Sequence, residues 1–315
     1  MTSATRPARG ITRWISPVVL WALLGAVCLA FGTAMLIRWL PHAEIRVIPH
    51  NDYGIGTGRK VALWGVQIAI AVVVAGLVVR QVRQCRRERT ITFDTALLLG
   101  YILAEWATPW ASSYGTGVLT SHYLIHTNSW DLPGWDSSAH PHHTAPVFVT
   151  WIGVAGAMLW ILTTAAVMKA VTRHRPNLSN TRYLVVSAVV LLLIDLLFEA
   201  AWILTGSYSF GDTIPAITLF PGHWYQLPLP GVALTALVWI FIPYAARYYH
   251  EREGRETFVL RGIGRLPGRA RPWAMTLAVI GLVTLSLLLW AALYNGINAL
   301  GGAVPATDMP QHFLG

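Results

Sequence analysis

Two carboxyl groups stand one helical turn apart in LLLIDLLFEAAWIL, at Asp195 and Glu199, inside an apolar run long enough to cross a bilayer. Two more, Asp94 and Glu105, fall in the apolar run 91–110. An ionisable side chain at mid-membrane costs about 2.5–3.5 kcal/mol even on lenient insertion scales, so such a group is a functional suspect. At about 100° per residue, the eleven steps from Asp94 to Glu105 return to within about 20° of one face, and Asp195 and Glu199 share theirs at i,i+4. Neither run holds a lysine or arginine, so both acidic stripes are expected to face each other or a wet cavity. Burial disfavours the charged form of a carboxyl group, and a second carboxyl nearby adds to the effect. One of such a pair can therefore protonate a reacting oxygen at neutral pH. The plainer alternative is a neutral acid bonded to Ser, Thr, Trp or Tyr of a neighbouring helix. Asp94, three residues from the start of its run, is the acid that capping or interface exposure explains most easily.

Further polar and aromatic groups crowd two segments between apolar runs. HYLIHTNSWDLPGWDSSAHPHHTAP holds His122, His126, Asn128, Trp130, Asp131, Trp135 and Asp136, then His140, His142 and His143. Histidines at such spacings can hold a metal, and His140, His142 and His143 are the metal alternative. A third histidine box is missing, and the reading preferred is a polar lid without metal or cofactor, with Trp130 and Trp135 at the interface and a histidine able to relay protons. GSYSFGDTIPAITLFPGHWYQLPLPG follows the Asp195/Glu199 run directly and carries Tyr208, Phe210, Asp212, Phe220, His223, Trp224, Tyr225 and Gln226. Aromatic faces above a carboxyl pair suit a developing cation; they also suit a membrane-interface belt. Asp94, His122, Asn128, Trp130, Trp135, Trp202, Tyr208, Asp212, His223, Tyr225 and Gln226 form the expected substrate-binding set.

The elements that must position these groups are membrane helices. Of the 315 residues 55% are hydrophobic and 12% charged, well below the roughly 25% charged of soluble domains. Apolar runs of about 20 residues, the length of a spanning helix, occur at 14–40, 61–80, 91–110, 147–171, 183–204, 229–249 and 273–293. The expectation is an all-α, single-domain, polytopic bundle of about seven spans over 1–315. Residues 1–13 form a basic arm, 111–146 and 205–230 outer loops, and 250–272 a basic inner loop. Nineteen of the 23 Lys and Arg lie in the arm, 80–89, 169–182 and 247–271. By the positive-inside rule the N-terminus is cytoplasmic and the C-terminus outside. Arg38, Arg46, Arg59 and Lys60, around the first outer loop, are the weak point of that pattern. The net charge of +9 is then accounted for by topology and anionic lipid; no nucleic-acid motif accompanies it. Cys28 and Cys85 fall in different regions and define no disulfide framework.

The order Asp195, Glu199, then Gly206, Tyr208 and Phe210, followed by Leu219-Phe220-Pro221-Gly222 and Tyr225-Gln226-Leu227-Pro228, resembles a known family. It is similar to the D-x3-E, G-x-Y-x-[YF] and G-x2-[YF]-Q-x-P pattern of AveC-like spirocyclases, bacterial multi-pass membrane proteins. NSWDLPGW, from Asn128 to Trp135, fits the same picture. The resemblance covers about 91–230. Where a Pro-Glu-Pro-like turn is expected before the fourth span, this chain has Thr144-Ala145-Pro146, so that glutamate's duty is absent or transferred. The resemblance implies spiroketal formation from a lipophilic, polyketide-like dihydroxy-ketone in the bacterial cell membrane, without cofactor. Glu199 would be the acid, Asp195 its tuner, and Glu105 the acceptor of the incoming hydroxyl's proton. A membrane terpene or carotenoid cyclase or hydratase could use the same acids on an alkene or epoxide. A proton-coupled transporter or receptor is the third reading.

Overall fold

The computed structural model describes residues 16–48, 51–108, 118–128, 144–146, 151–253 and 256–314. The chain is mostly helical. Among the described residues, six helices are long and apolar enough to cross a membrane. Helix α1 (Pro17–Trp39) begins with proline at its first position, where the missing N–H costs nothing. The second, α2 (Thr57–Glu88), runs from apolar residues into the basic stretch and ends at Arg89 in the left-handed region, φ 54°. Next come α3 (Phe93–Ala104), α4 (Ile152–His174) and α5 (Asn180–Leu204). A broken helix follows: α6 (Leu229–Leu234), a π-helical stretch from Thr235 to Ile240, and α7 (Phe241–Glu253). The last, α8 (Arg271–Leu300), packs along both α1 and α3.

Small residues let the central helices approach. A Cβ on Gly25 of α1 would run into the Leu277 carbonyl of α8, and one on Gly281 would lie 2.7 Å from the Trp21 carbonyl. This is the small-residue packing by which helices associate where apolar burial offers no gain over lipid.

One expected span differs. The apolar run 91–110 forms only the 12-residue α3, capped by the Thr92 hydroxyl accepting from the Thr95 amide, and then a 3-10 turn, Glu105–Ala107. Twelve residues rise about 18 Å, short of the ~30 Å apolar core. The helix tolerates this because α1, α2, α4, α7 and α8 pack around it, burying Phe93, Asp94, Ala96, Leu97, Leu98, Gly100, Tyr101 and Ala104. Hydropathy does not separate a protein-buried helix from a lipid-facing one.

The connections following α1, α3, α5 and α8 meet at one end of the bundle, in short antiparallel pairings that an all-α expectation omits. β1 (Ile45–Arg46), β3 (His126–Asn128) and β4 (Thr144–Pro146) form a three-stranded sheet in the order β1-β3-β4. β2 (Val118–Thr120) pairs with β5 (Tyr208–Phe210), with Thr120 opposite Tyr208. β7 (Thr218–Leu219) pairs with β8 (Leu227–Pro228), and β6 (Asp212–Thr213) with β9 (Val304–Pro305) beyond α8. At the opposite end lie the basic residues of α2, α4 and α7 and a compact turn in which Glu256 accepts from the Gly262 and Gly264 amides.

Candidate active site

Every fourth residue of α5 faces inward: Tyr183, Ser187, Leu191, Asp195 and Ile203 are buried. Asp195 is 1% exposed, and neither of its oxygens has a hydrogen-bond partner among the described residues. Glu199, one turn on, is surrounded by protein yet keeps some accessible surface. The Tyr208 hydroxyl donates to it. Burial, and next the neighbouring Glu199 charge, hold the Tyr208 phenol well above its ordinary range, so it remains a donor. Tyr208 reaches back because the chain reverses at Gly206, φ +81°, immediately after α5. The positive φ favours glycine, and a side chain there would also crowd Arg59 Cδ at 3.1 Å.

The second interior carboxyl that keeps accessible surface is Glu105. Its Oε2 accepts from the Thr108 hydroxyl at 3.0 Å. A Cβ at Gly153 of α4 would lie 3.2 Å from Glu105 Oε1 and 2.6 Å from Cη2 of Trp239 in the π-helical stretch. Carboxyl and indole therefore flank one gap that only hydrogen leaves open.

A row of aromatic rings runs between the surroundings of the two carboxyls. Trp239 lies 6.2 Å from Trp290, Trp290 stacks on Tyr294 at 5.8 Å, and Tyr294 meets Phe210 at 5.9 Å. Phe210 meets Tyr208 at 5.9 Å, edge to face. Pro243, early in α7, explains part of this order: it has no N–H for the carbonyl of Trp239, four residues earlier. The Tyr101 hydroxyl takes that carbonyl at 3.3 Å, tying α3 to the π-helical stretch.

Other expected site residues take different places. Asp94 is not without a cation: Arg247 of α7 donates from Nε and Nη2 to its two oxygens, at 2.5 and 3.1 Å. This pair sits at the basic end, and 11 residues of chain, about 16 Å of helix, separate Asp94 from Glu105. Asn128 bonds to the segment after α1, its Nδ2 donating to the His42 carbonyl and its Oδ1 accepting from the Glu44 amide. Gln226 is 0% exposed and fully used, donating to the Phe210 and Gly211 carbonyls and accepting from Thr213 Oγ1 and the Gly222 amide. His223 is exposed, pairs with Asp308 at 2.9 Å and stacks on Tyr225. Trp202 stacks on Phe198 and packs among Val66, Ile70 and Val74 of α2. Asp212 lies in β6, opposite Pro305. His122, in a turn, and His126, at the start of β3, are buried with rings 6.0 Å apart. Trp130, Trp135, His140, His142 and His143 lie outside the described residues. Among the described residues no three His, Cys, Asp or Glu side chains gather as metal ligands would.

The sequence reading left out Tyr101, Trp239, Trp290, Tyr294, Arg59 and His312. Trp290 and Tyr294 stand at i,i+4 on α8, a spacing that could have singled them out. Arg59 lies over the Trp224 ring, 4.5 Å from its centroid, and Lys60 pairs with Asp52. Both cations stand in the first turn of α2 and have specific partners there.

Helices of membrane-spanning length, with buried or half-buried carboxyl groups near a cap of short strands, define a membrane protein. The family model described as spirocyclase AveC-like matches residues 88–315, and the chain belongs to that family, which implies an enzyme of the cyclase type. The match extends beyond the region of the motifs to take in α8 and the C-terminal tail. No curated protein and no solved structure matches the chain.

Proposed function

We propose that this protein is a membrane-embedded acid–base catalyst that closes a lipophilic, polyketide-like dihydroxy-ketone to a spiroketal and controls its stereochemistry. The observation that carries this reading is the pair of interior carboxyls, Glu199 under Tyr208 and Glu105 beside Trp239, at the two ends of one aromatic row in a member of this family. In the reaction, one substrate hydroxyl adds to the ketone carbon and its proton passes to the former carbonyl oxygen, giving a hemiketal. Glu199 protonates the hemiketal hydroxyl, the C–O bond breaks, and water leaves an oxocarbenium ion. The second hydroxyl attacks that carbon and gives its proton to the Glu105 carboxylate, from which it returns to Glu199 by way of water, resetting both groups. One water is lost and no atom changes oxidation state, so the chemistry calls for no redox partner. Asp195 tunes Glu199 or offsets the cation's charge, much as a carboxyl pair serves glycoside hydrolysis through a similar cation, and the ring faces add cation–π stabilisation.

In this reading the basic end faces the cytoplasm of a bacterial cell and the capped end faces out. Glu199→Gln keeps the shape and removes the acid. Membranes carrying it should form spiroketal about 10²–10⁴-fold more slowly than wild type, the usual worth of a positioned acid, and yield both spiro epimers from background closure. Conversion at the wild-type rate to a single epimer would rule the assignment out. The aromatic row also suits the cation of a terpene-type cyclase, and turnover of a polyene with no reaction of the dihydroxy-ketone is the outcome that reading expects.

A further inference from the structure

Trp239 differs from the other indole in its row. Trp290 donates its ring N–H to Thr235 Oγ1 at 3.0 Å, whereas the ring N–H of Trp239 is buried with no partner among the described residues. Leaving a buried donor unpaired costs about 1–3 kcal/mol, and phenylalanine would fill a ring-sized space without that cost. The position of the ring is also fixed. Tyr101 holds the backbone carbonyl of Trp239, and Tyr101 and Trp290 flank its ring with centroids 6.1 and 6.2 Å away. π-Helical stretches such as the one that carries Trp239 recur at functional sites. The gap beside the ring is kept by Gly153, where a Cβ would crowd both Trp239 and Glu105 Oε1. Thr108 occupies Oε2. The Cη2–Cζ2 edge of the indole and a carboxyl oxygen thus border one preserved gap, and the donor without a partner, Nε1, belongs to the same ring, two bonds from Cζ2.

We infer that Trp239 and Glu105 form a second oxygen-binding pole, in which the indole N–H and the carboxyl hold a hydroxyl of the ligand. The preferred ligand is then a lipophilic molecule with two oxygen groups separated by hydrocarbon, one for this pole and one for Glu199 and Tyr208. The inference rests on the functional reading above, in that both poles are taken to serve one chamber, and it assigns Trp239 a role in selecting ligands by their second hydroxyl.

An unreactive probe tests it: an alkyl-substituted diol with the hydroxyl spacing of a δ,δ′-dihydroxy-ketone but no carbonyl, compared with the mono-ol lacking one hydroxyl. Binding of each is measured to the purified full chain in lipid nanodiscs. Wild type should prefer the diol about tenfold, equivalent to ~1.4 kcal/mol. Trp239→Phe should bring the two to within about twofold by weakening the diol alone, and Glu105→Gln should narrow the preference as well. A packing role alone would weaken both ligands together. The inference is overturned if wild type shows no preference, or if both variants keep it; should Trp239→Phe fail to fold, Glu105→Gln decides. Spiroketal formation from the matching dihydroxy-ketone is scored separately. A diol preference lost in the variants but without turnover sinks the spirocyclase reading and leaves the pole. Turnover with an unchanged preference sinks the pole and leaves the reading.

Discussion

Tyr208 and Gln226 lie in the same motif-bearing segment, yet the structure gives them opposite duties. The Tyr208 phenol keeps its proton and donates it in a hydrogen bond to Glu199, so it steadies the proposed acid in one orientation. Tyr208→Phe retains the ring against Phe210 and removes only that bond. Hydrogen bonds to charged groups are worth about 1.5–3 kcal/mol, so kcat should fall by about 10–100-fold with little change in melting temperature. Gln226, by contrast, spends its amide on four partners within the cap. Gln226→Ala strands buried groups at Phe210, Gly211, Thr213 and Gly222, and its main effect should be a lowered melting temperature. Assaying kcat per folded molecule separates the two cases; a Gln226→Ala protein of wild-type stability but without activity would contradict this division. The acidic face of α5 was legible because i,i+4 spacing fixes which side chains share a face. Gln226 was not, because an amide looks the same in a sequence whether it meets a ligand or a loop.

At the scale of elements, α3 is the part that hydropathy described least well. Its apolar run was visible, but the chain leaves the α-helix at Glu105, and the neighbours that bury the short helix come from every part of the sequence. Its basic-end anchor was equally hidden, since Asp94 and Arg247 are 153 residues apart and only the fold brings them together. The pair is nearly sealed from solvent, with side chains 5% and 12% exposed. Breaking such a pair costs up to about 3–5 kcal/mol, and without Asp94 the buried Arg247 keeps only the more exposed Glu251, 2.9 Å away, as a partner. Asp94→Asn should therefore lower stability in a thermal unfolding measurement while folded molecules keep their turnover. The double substitution Asp94→Leu, Arg247→Met should recover most of the loss, because apolar replacements of buried pairs are often neutral. Failure of that rescue, together with lost turnover in folded Asp94→Asn protein, would return Asp94 to the site. The break between α6 and α7 left one trace in the sequence, Pro243, which removes a helix donor but does not by itself say which carbonyl is freed to whom.

On the scale of the whole molecule, the cap is closed by the end of the chain, a region with no apolar periodicity to announce it. β9 pairs with β6, the Thr307 amide and hydroxyl both reach the Gly222 carbonyl, and Asp308 accepts from the Trp224 amide. His312 and Phe313 are buried, and the His312 carbonyl accepts from the His122 amide at 2.7 Å. Pairings between short segments so distant in sequence depend on α8 returning the chain to that end of the bundle. Deleting 303–315 should therefore loosen the cap over Tyr208, making the segment 205–228 more open to protease while the helices stay folded. His312 gives the tail a pH dependence of definite sign. Burial, and next the positive charge of Arg59, hold its imidazole down from 6.5 to about 4. A histidine kept neutral by the fold is stabilising above its unfolded value, and that contribution is lost as the pH falls. Between pH 6.5 and about 4 the unfolded chain takes up a proton that the folded chain refuses. The cap should thus become easier to open across that window, read as faster cleavage of the segment 205–228 at pH 5 than at pH 7 by a protease active at both. His312→Gln cannot take up the proton and should flatten the difference; an equally steep pH dependence in that variant would assign it to another group.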